Sequence, residues 1–470
     1  MKYLFTTGLS LFLICSTANS RVDDIKNESP LEFFNNFQKF TGSNVNVDSA
    51  FFYVKKLASN KKFEVLLHTL LHNSFAQIFI DVNPKLETDP TKASARNEQI
   101  LLSKAILSKI EADTTSLLKE VAGPIILWIK AKANANNTPL LKMLATEFMA
   151  NNLQPSTFYV NKNGRYGLLI YKIINQQAGL KPLATQMLNL IKNNLKNNQK
   201  TASELTARPD FEKRAWYRYL YAYVCDYESS ITNNTLQKQA LLKTAFDFSP
   251  DLTDKNFSTA YFYDIAFLGG KKTFEDSYLT FLINNTTDKK QVIQTLLKIA
   301  LIEPKYKGKL QDFYTTNNVT TTNFTDFWNE SIETKAEISP SISVNQIDGK
   351  PFSSKELLGK WILIDFWGTW CGPCRAEHPD LQKFYEQVVL LNPNKIALLT
   401  LACKDTEEKV VQYTKEKKYS FPVAMSDGNF ETDFKVQGYP TKILITPKGK
   451  YITVPFNIDF AGFIRRYIDL

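Results

Sequence analysis

The sequence predicts a multidomain protein of mixed α plus α/β class, with an all-helical N-terminal domain followed by a mixed β-sheet flanked by helices. Three observations predict it. At 470 residues the chain is too long for one ordinary core. From about residue 21 to residue 335, apolar residues recur at helical spacing. From residue 341 onward, short strand-like runs alternate with helical ones, the order that builds a sheet covered by helices.

The helical part is read from segments such as Phe63 to Leu71, Leu101 to Leu107 and Gln291 to Ala300, each with a periodic apolar face. Asn-rich clusters interrupt them at residues 134–139, 161–164, 194–198 and 315–318. Antiparallel helical hairpins are the expected outcome. Two similar segments, Leu241 to Pro250 and Leu296 to Pro304, are too few to establish a repeat.

The texture changes between Asn329 and Ser343. Ile342 to Ile347 leads into Asp348-Gly349, a hairpin signal. Strands are expected at Trp361 to Phe366, Lys395 to Ala402, Phe421 to Met425, Thr441 to Thr446 and Tyr451 to Pro455. Helices are expected at Arg375 to Leu391, Thr406 to Lys418 and Asp459 to Ile468. The domains are therefore set at 1–20 for a leader, 21–335 for the helical part and 341–470 for the sheet part.

Composition narrows the function classes. The apolar fraction is 44% and the charged fraction 22%, both ordinary for a globular protein. A net charge of +10 could favour anionic partners, but the lysines are scattered, with no Arg-rich run and no zinc-finger spacing. The charge reads as a solvated surface, and nucleic acid is not an expected partner.

Met1-Lys2 followed by the apolar Leu4 to Cys15, then the small residues Ala18-Asn19-Ser20, has the pattern of a signal peptide ending at residue 20. The apolar stretch falls short of the roughly 20 residues needed to span a bilayer. Export is expected, most simply to a bacterial periplasm as a soluble protein. Leu13-Ile14-Cys15-Ser16 is similar to a lipoprotein cleavage box, although Ile14 is larger than the residue that pattern prefers. Lipidation of Cys15 would tether the chain.

Beyond Cys15 the cysteines are Cys225, Cys371, Cys374 and Cys403, too sparse for a disulfide scaffold. Two of them stand three apart in Cys371-Gly372-Pro373-Cys374, at the junction of an expected strand and helix. Unpaired backbone N–H groups and the helix dipole stabilise an anion there, so Cys371 is the candidate nucleophile. Cys374, one turn later, can resolve a mixed disulfide. Gly372 and Pro373 fix the tight helix start. The competing reading of a CxxC, half a zinc site, lacks a second pair.

Ile364 to Pro379 resembles the active-site segment of the thioredoxin superfamily. Asp348 to Phe352, Leu358 to Ile364 and Gly438-Tyr439-Pro440-Thr441 are similar to its exported TlpA/ResA-like branch. The resemblance spans about Ser341 to Leu470, under a third of the chain, and implies a thioredoxin-like sheet there. It implies that Asp365 is a buried carboxylate that helps deprotonate the resolving cysteine, through water, with a raised pKa. It implies that Glu377, three residues after Cys374, tunes the cysteines, against the alternative of a solvated helix glutamate. It implies that Pro440 is a cis-proline facing the dithiol and, with Tyr439, Trp370, Gly372 and Pro373, presents the substrate-binding rim. Trp367 reads as packing, and Pro379 as a kink in the active-site helix.

Cys-Gly-Pro-Cys also resembles reducing thioredoxins, whose potentials lie near about −270 mV. A disulfide reductase follows as the expectation, with no cofactor beyond the redox-active pair. Disulfide-containing exported proteins would be its substrates and a membrane thiol-transfer protein its electron donor. The alternatives are an oxidase or isomerase using the same residues, or a binding protein whose helical domain holds a protein partner. The peroxidatic signature of the wider family is absent.

Other residues carry plainer expectations. His68 and His72 sit four apart, a metal-site spacing, but in an apolar segment without the accompanying Glu, so packing is expected. His378 is expected at the surface. Cys225 and Cys403 are expected as buried thiols, with a disulfide between them as the alternative. Trp216, Tyr219, Leu220, Tyr223 and Tyr227 form an aromatic stripe, read as core, with a peptide groove as the alternative.

Overall fold

The computed structural model describes residues 29–80, 90–317, 322–456 and 458–470. The expected leader at 1–20 and Cys15 lie outside them. The chain forms two compact units. Of the described residues, one unit holds those up to Asn198 together with Tyr263–Gly270, and the other those of Gln199–Phe262 together with those of Lys271–Leu470.

The described part of the first unit is helical. Asparagine at the breaks has a defined use: the Asn46 side chain accepts from Ser49 N at the start of Val47–Ala58. Asn137 does the same for Leu140 N in Thr138–Asn152. Such caps satisfy donors that the first helical turn leaves open. One expected break is absent, because helix Lys181–Asn197 runs through residues 194–197. Asn194 is buried, and its amide donates to the carbonyls of Leu153 and Leu190, both at 3.0 Å. Its polar group is satisfied without interrupting the helix.

Helix Phe262–Leu268 sends Asp264 into this unit, where Arg165 donates through Nε at 2.8 Å and Nη2 at 2.6 Å. His72 Nδ1 lies 2.8 Å from the Tyr166 hydroxyl, and His68 Nε2 lies 3.1 Å from the Asn161 carbonyl. The two imidazoles lie 5.7 Å apart within this packing. Burial, then Arg165, pushes His68 down to about 4 and His72 well below the ordinary histidine range.

In the second unit the aromatic stripe lies on helix Arg208–Ile231. Trp216, Tyr219, Leu220 and Tyr223 are buried, and Tyr219 stacks on Tyr261 with centroids 4.6 Å apart. These four are core, not an open groove, while Tyr227 at the end of the stripe is only partly buried. Arg214 and Arg218 from the same helix bind Asp251 and Asp254.

The sheet part contains β1 (Glu337–Ile338), β2 (Ser343–Asn345), β3 (Pro351–Ser353) and β4 (Trp361–Trp367). It continues with β5 (Ile396–Ala402), β6 (Val423–Met425), β7 (Thr441–Ile445) and β8 (Lys450–Val454). The order of the main sheet is β1-β8-β7-β4-β5-β6. β4 pairs parallel with β5 and antiparallel with β7, so the sheet is mixed. β2 and β3 form a separate hairpin, whose turn places Gly349 at φ +82°, a conformation glycine adopts without strain.

Helices Gly372–Phe384, Glu407–Lys417, Asn429–Asp433 and Phe460–Tyr467 flank the sheet. The active-site helix begins three residues earlier than expected, at Gly372, and passes through Pro379 into a wide turn at Tyr385–Val389. β4 is central and buries both faces, which explains its unbroken apolar run. Leu363 and Trp367 face a core shared with Cys371, Cys374 and Leu381, while Ile362, Ile364 and Phe366 face the opposite one.

The change from helix to strand falls between Lys335 and Glu337, but the compact units do not divide there. Helix Phe324–Lys335 buries Trp328 against the C-terminal helix, where its Nε1 donates to the Tyr467 carbonyl at 2.9 Å. Lys307 donates to the Arg466 carbonyl at 3.2 Å and to Asp469 at 2.6 Å.

Candidate redox site

β4 delivers the chain to a tight turn that ends in Cys371. Thr369 N donates to Asp405 at 2.6 Å, and Trp370 Nε1 donates to the Cys403 carbonyl at 3.1 Å, which ties the turn to the loop after β5. Gly368 is required here, because a Cβ would run into the Trp370 indole. Cys371 is the N-cap of helix Gly372–Phe384, and Cys374 N donates to its sulfur at 3.2 Å. Pro373 lies in the first turn, where its missing N–H costs nothing. Cys371 and Cys374 are joined as a disulfide and both are buried.

The rim is aromatic. Trp370 is 52% exposed and meets Tyr439 edge-on, with ring centroids 5.3 Å apart. The Tyr439–Pro440 bond is cis. Thr441 pairs with Phe366 at the end of β4, so Pro440 lies just before β7, at the end of the sheet where β4 leads into the dithiol turn. Lys404 places its ammonium 5.9 Å from the Tyr439 ring.

Beneath the rim is a buried polar layer. Asp365 on β4 pairs with Thr400 on β5 and with Lys442 on β7, one row across three strands. Alternation turns Asp365 to the same side as Leu363 and Trp367, the side on which Cys374 packs. Asp365 is 1% exposed and Lys442 6%. Lys442 Nζ lies 2.6 Å from Glu377 Oε2 and 3.1 Å from Asp365 Oδ1. The second distance is an ion pair whose alignment falls short of a hydrogen bond, so this Asp365 oxygen has no hydrogen-bond partner within the protein. Burial raises the Asp365 pKa, with Lys442 acting against the rise and Glu377 adding to it. Burial works against the Lys442 charge too, but the two carboxylates more than offset it and hold its pKa above the ordinary value.

Residues 336–453 match the family model described as the AhpC/TSA family. A thiol-disulfide oxidoreductase ResA from Bacillus cereus (strain ATCC 10987 / NRS 248) is 32% identical over 126 residues, covering 26% of this chain and 71% of that protein. The chain belongs to the ResA-like family of thiol-disulfide oxidoreductases. A second ResA, from another strain of Bacillus cereus, is 31% identical over 115 residues, which are 24% of this chain and 65% of the relative's length. Among solved structures, a thioredoxin-family thiol:disulfide interchange protein from Chlorobium tepidum TLS is similar at 27% identity. It covers 28% of this chain and 94% of that chain, with a TM-score of 0.26.

In this ResA-like site the structure brings Cys371, Cys374, Asp365 and Glu377 onto one side of the sheet. Trp370, Gly372 and Pro373 are exposed around the dithiol, Tyr439 is partly exposed, and Pro440 is buried. Trp367 is fully buried. Glu377 is not a freely solvated helix glutamate, since it is ion-paired with Lys442 and its side chain is only 30% exposed.

His378 overturns its surface expectation. It is buried against Trp367, with centroids 4.5 Å apart, and its Nδ1 lies 3.0 Å from the Tyr413 hydroxyl. Burial, followed by Lys442, pushes it down to about 3, so it stays neutral through physiological pH. The signal was present: His378 follows Cys374 by four residues and precedes Leu381 by three, which is one helix face. Cys225 and Cys403 are buried and not bonded to one another. Burial pushes the Cys403 thiol up, which suits a packing role.

Lys442 and Thr400 were missed. Their signal is a polar residue at an inward position of an otherwise apolar strand: Lys442 alternates in phase with Leu444, and Thr400 with Leu398.

Proposed function

We propose that this protein is an exported disulfide reductase. Its dithiol chemistry is carried by one observation, Cys371 capping a helix with the Cys374 N–H directed at its sulfur, on the sheet face that also holds Asp365. In the reduced protein the Cys371 thiolate attacks a substrate disulfide, forming a mixed disulfide and releasing one substrate thiolate, which takes up a proton. Cys374 gives its proton to Asp365 and attacks the Cys371 sulfur. The Cys371–Cys374 disulfide forms, and the second substrate thiolate leaves and is protonated. Two electrons pass to the substrate with two protons, one from Cys374 by way of Asp365 and one from solvent, and a dithiol donor must restore the enzyme.

The Cys-Gly-Pro-Cys sequence supports the reducing direction, and the leader-like pattern of residues 1–20 supports export, with a periplasm the simplest destination. Substrates would be disulfides of exported proteins, electrons would come from a membrane thiol-transfer protein, and the cysteine pair would be the only redox group. Trp370, Tyr439 and Pro440 would seat the substrate chain. The helical region before residue 336 would hold a protein partner.

The test is the reduction potential of the Cys371–Cys374 pair, equilibrated against glutathione or dithiothreitol. A value near about −270 mV is expected. A value from tens of millivolts to more than a hundred higher overturns the reductase and makes the protein an oxidase or isomerase. Cys374→Ser should trap the mixed disulfide with substrate, and Cys371→Ser should not.

A further inference from the structure

Lys442 keeps an ammonium inside the sheet part of the protein, a position that is unfavourable unless opposite charges compensate it. Two carboxylates do so, from different elements. Asp365 comes from the adjacent β4, at 3.1 Å, and Glu377 comes from the helix above, one turn after Cys374, at 2.6 Å. The Phe460 ring centroid lies 4.8 Å from the ammonium. Among the described residues around this triad, His378, held neutral by burial, is a titratable group that feels Lys442, and the Cys371–Cys374 disulfide, which does not titrate, packs on the same side of the sheet. Tyr413 on helix Glu407–Lys417 reaches it only by way of His378, and Thr400 on β5 presents a hydroxyl across from Asp365.

One cation between two carboxylates leaves the group with a single negative charge when both are ionised, and neutral when it holds one proton. A cluster of that composition can accept and release one proton without stranding a net charge of two inside the fold. Glu377 is its solvent-touching member and Asp365 its buried one.

We propose that Lys442 is a positioning residue of the dithiol site, whose ammonium binds Asp365 and Glu377 into one unit that takes the Cys374 proton and later returns it. The role rests on the dithiol chemistry proposed above. The Cys374 thiol loses its proton to the Asp365 carboxylate, the new thiolate displaces the substrate thiolate from Cys371, and the proton passes to that leaving group. Without Lys442, Asp365 would keep only the two influences that make it hold its proton, the apolar wall and the negative Glu377.

The signs allow a test that packing alone would not pass. Infrared titration of the oxidised full-length protein follows the protonated carboxyl stretch of Asp365, assigned by its disappearance in Asp365→Asn. Lys442→Met should move the titration midpoint upward by about one to three pH units. Glu377→Gln should move it downward, and Lys442→Arg should leave it near wild type. In single-turnover reduction of insulin, the pH midpoint of the resolving step should move with the carboxyl. An unmoved midpoint in folded Lys442→Met overturns the proposal, as does a Glu377→Gln shift in the same direction. If Lys442→Met does not fold, Glu377→Gln and Lys442→Arg decide: an upward or absent shift in the first, or a large shift in the second, overturns it. Wild-type protein that turns over no disulfide would remove the dithiol reading itself, and the titration separates that failure from a failure of Lys442.

Discussion

Replacing Trp328 with alanine tests whether the last helix before the sheet belongs to the fold of the redox domain. Trp328 is fully buried, its ring centroid lies 5.4 Å from that of Tyr467, and the Lys307 ammonium stands 4.7 Å from the ring. Removing a buried indole costs about 3–5 kcal/mol, from lost apolar burial and the cavity left behind. Trp328→Phe separates the contributions, since it keeps most of the ring but leaves the Tyr467 carbonyl without its donor, at about 1–3 kcal/mol. Urea unfolding would be followed by far-UV circular dichroism and, in parallel, by protease resistance of the chain beyond residue 336. Both probes should shift together, and alanine should shift them further than phenylalanine. A loss below about 1 kcal/mol in Trp328→Ala, or a sheet region that keeps its wild-type midpoint, would refute the reasoning and leave the helix as a mere neighbour.

Asp365→Asn keeps the side-chain shape but removes the proton acceptor, so stopped-flow measurements should show the resolving step slowed by about 10²–10⁴-fold at neutral pH with mixed-disulfide formation unchanged. Because burial raises the Asp365 pKa, the wild-type resolving rate should climb as pH rises through that raised value, and the variant should lose this climb. In the first unit, Asp264→Ala leaves the Arg165 guanidinium buried without its carboxylate and should cost about 3–5 kcal/mol in denaturant titration. Adding Arg165→Met to Asp264→Leu should recover much of that loss; a double variant as unstable as Asp264→Ala would show that the pair is not what the unit depends on.

What could be read from the sequence follows from how local each feature is. The strand–dithiol–helix order around Cys371 is written in consecutive residues, and β4 announces itself by an apolar run that only a strand buried on both faces needs. β1 is two residues long and forms through its partner β8, so no periodicity could reveal it. Asn194 shows the same limit in reverse: its local preference is to end a helix, and distant Leu153 supplies the acceptor that lets the helix continue. Lys442 was hidden because a lysine at an inward strand position makes sense only beside two carboxylates, one on a neighbouring strand and one on a helix 65 residues away in sequence. The surface expectation for His378 left out its helical phase relative to Cys374 and Leu381, which points inward.

The same helix end treats its two cysteines differently, and this asymmetry assigns the remaining side chains. Cys371, at the N-cap, receives the Cys374 N–H and the positive end of the helix, so an anion there is favoured by the backbone alone. Cys374 lies inside the first turn and is nearly inaccessible, and its own N–H is already directed at the other sulfur. Forming a thiolate at that second position therefore requires a proton acceptor on the sheet side of the helix. Asp365 and Glu377 are the carboxylates of that polar layer, and Asp365, as the buried one with a raised pKa, is the better matched to a thiol proton. On the proposed chemistry the first sulfur is activated by the fold and the second by a base. Changes to the Asp365, Lys442 and Glu377 layer should then alter resolution of the mixed disulfide while leaving its formation intact.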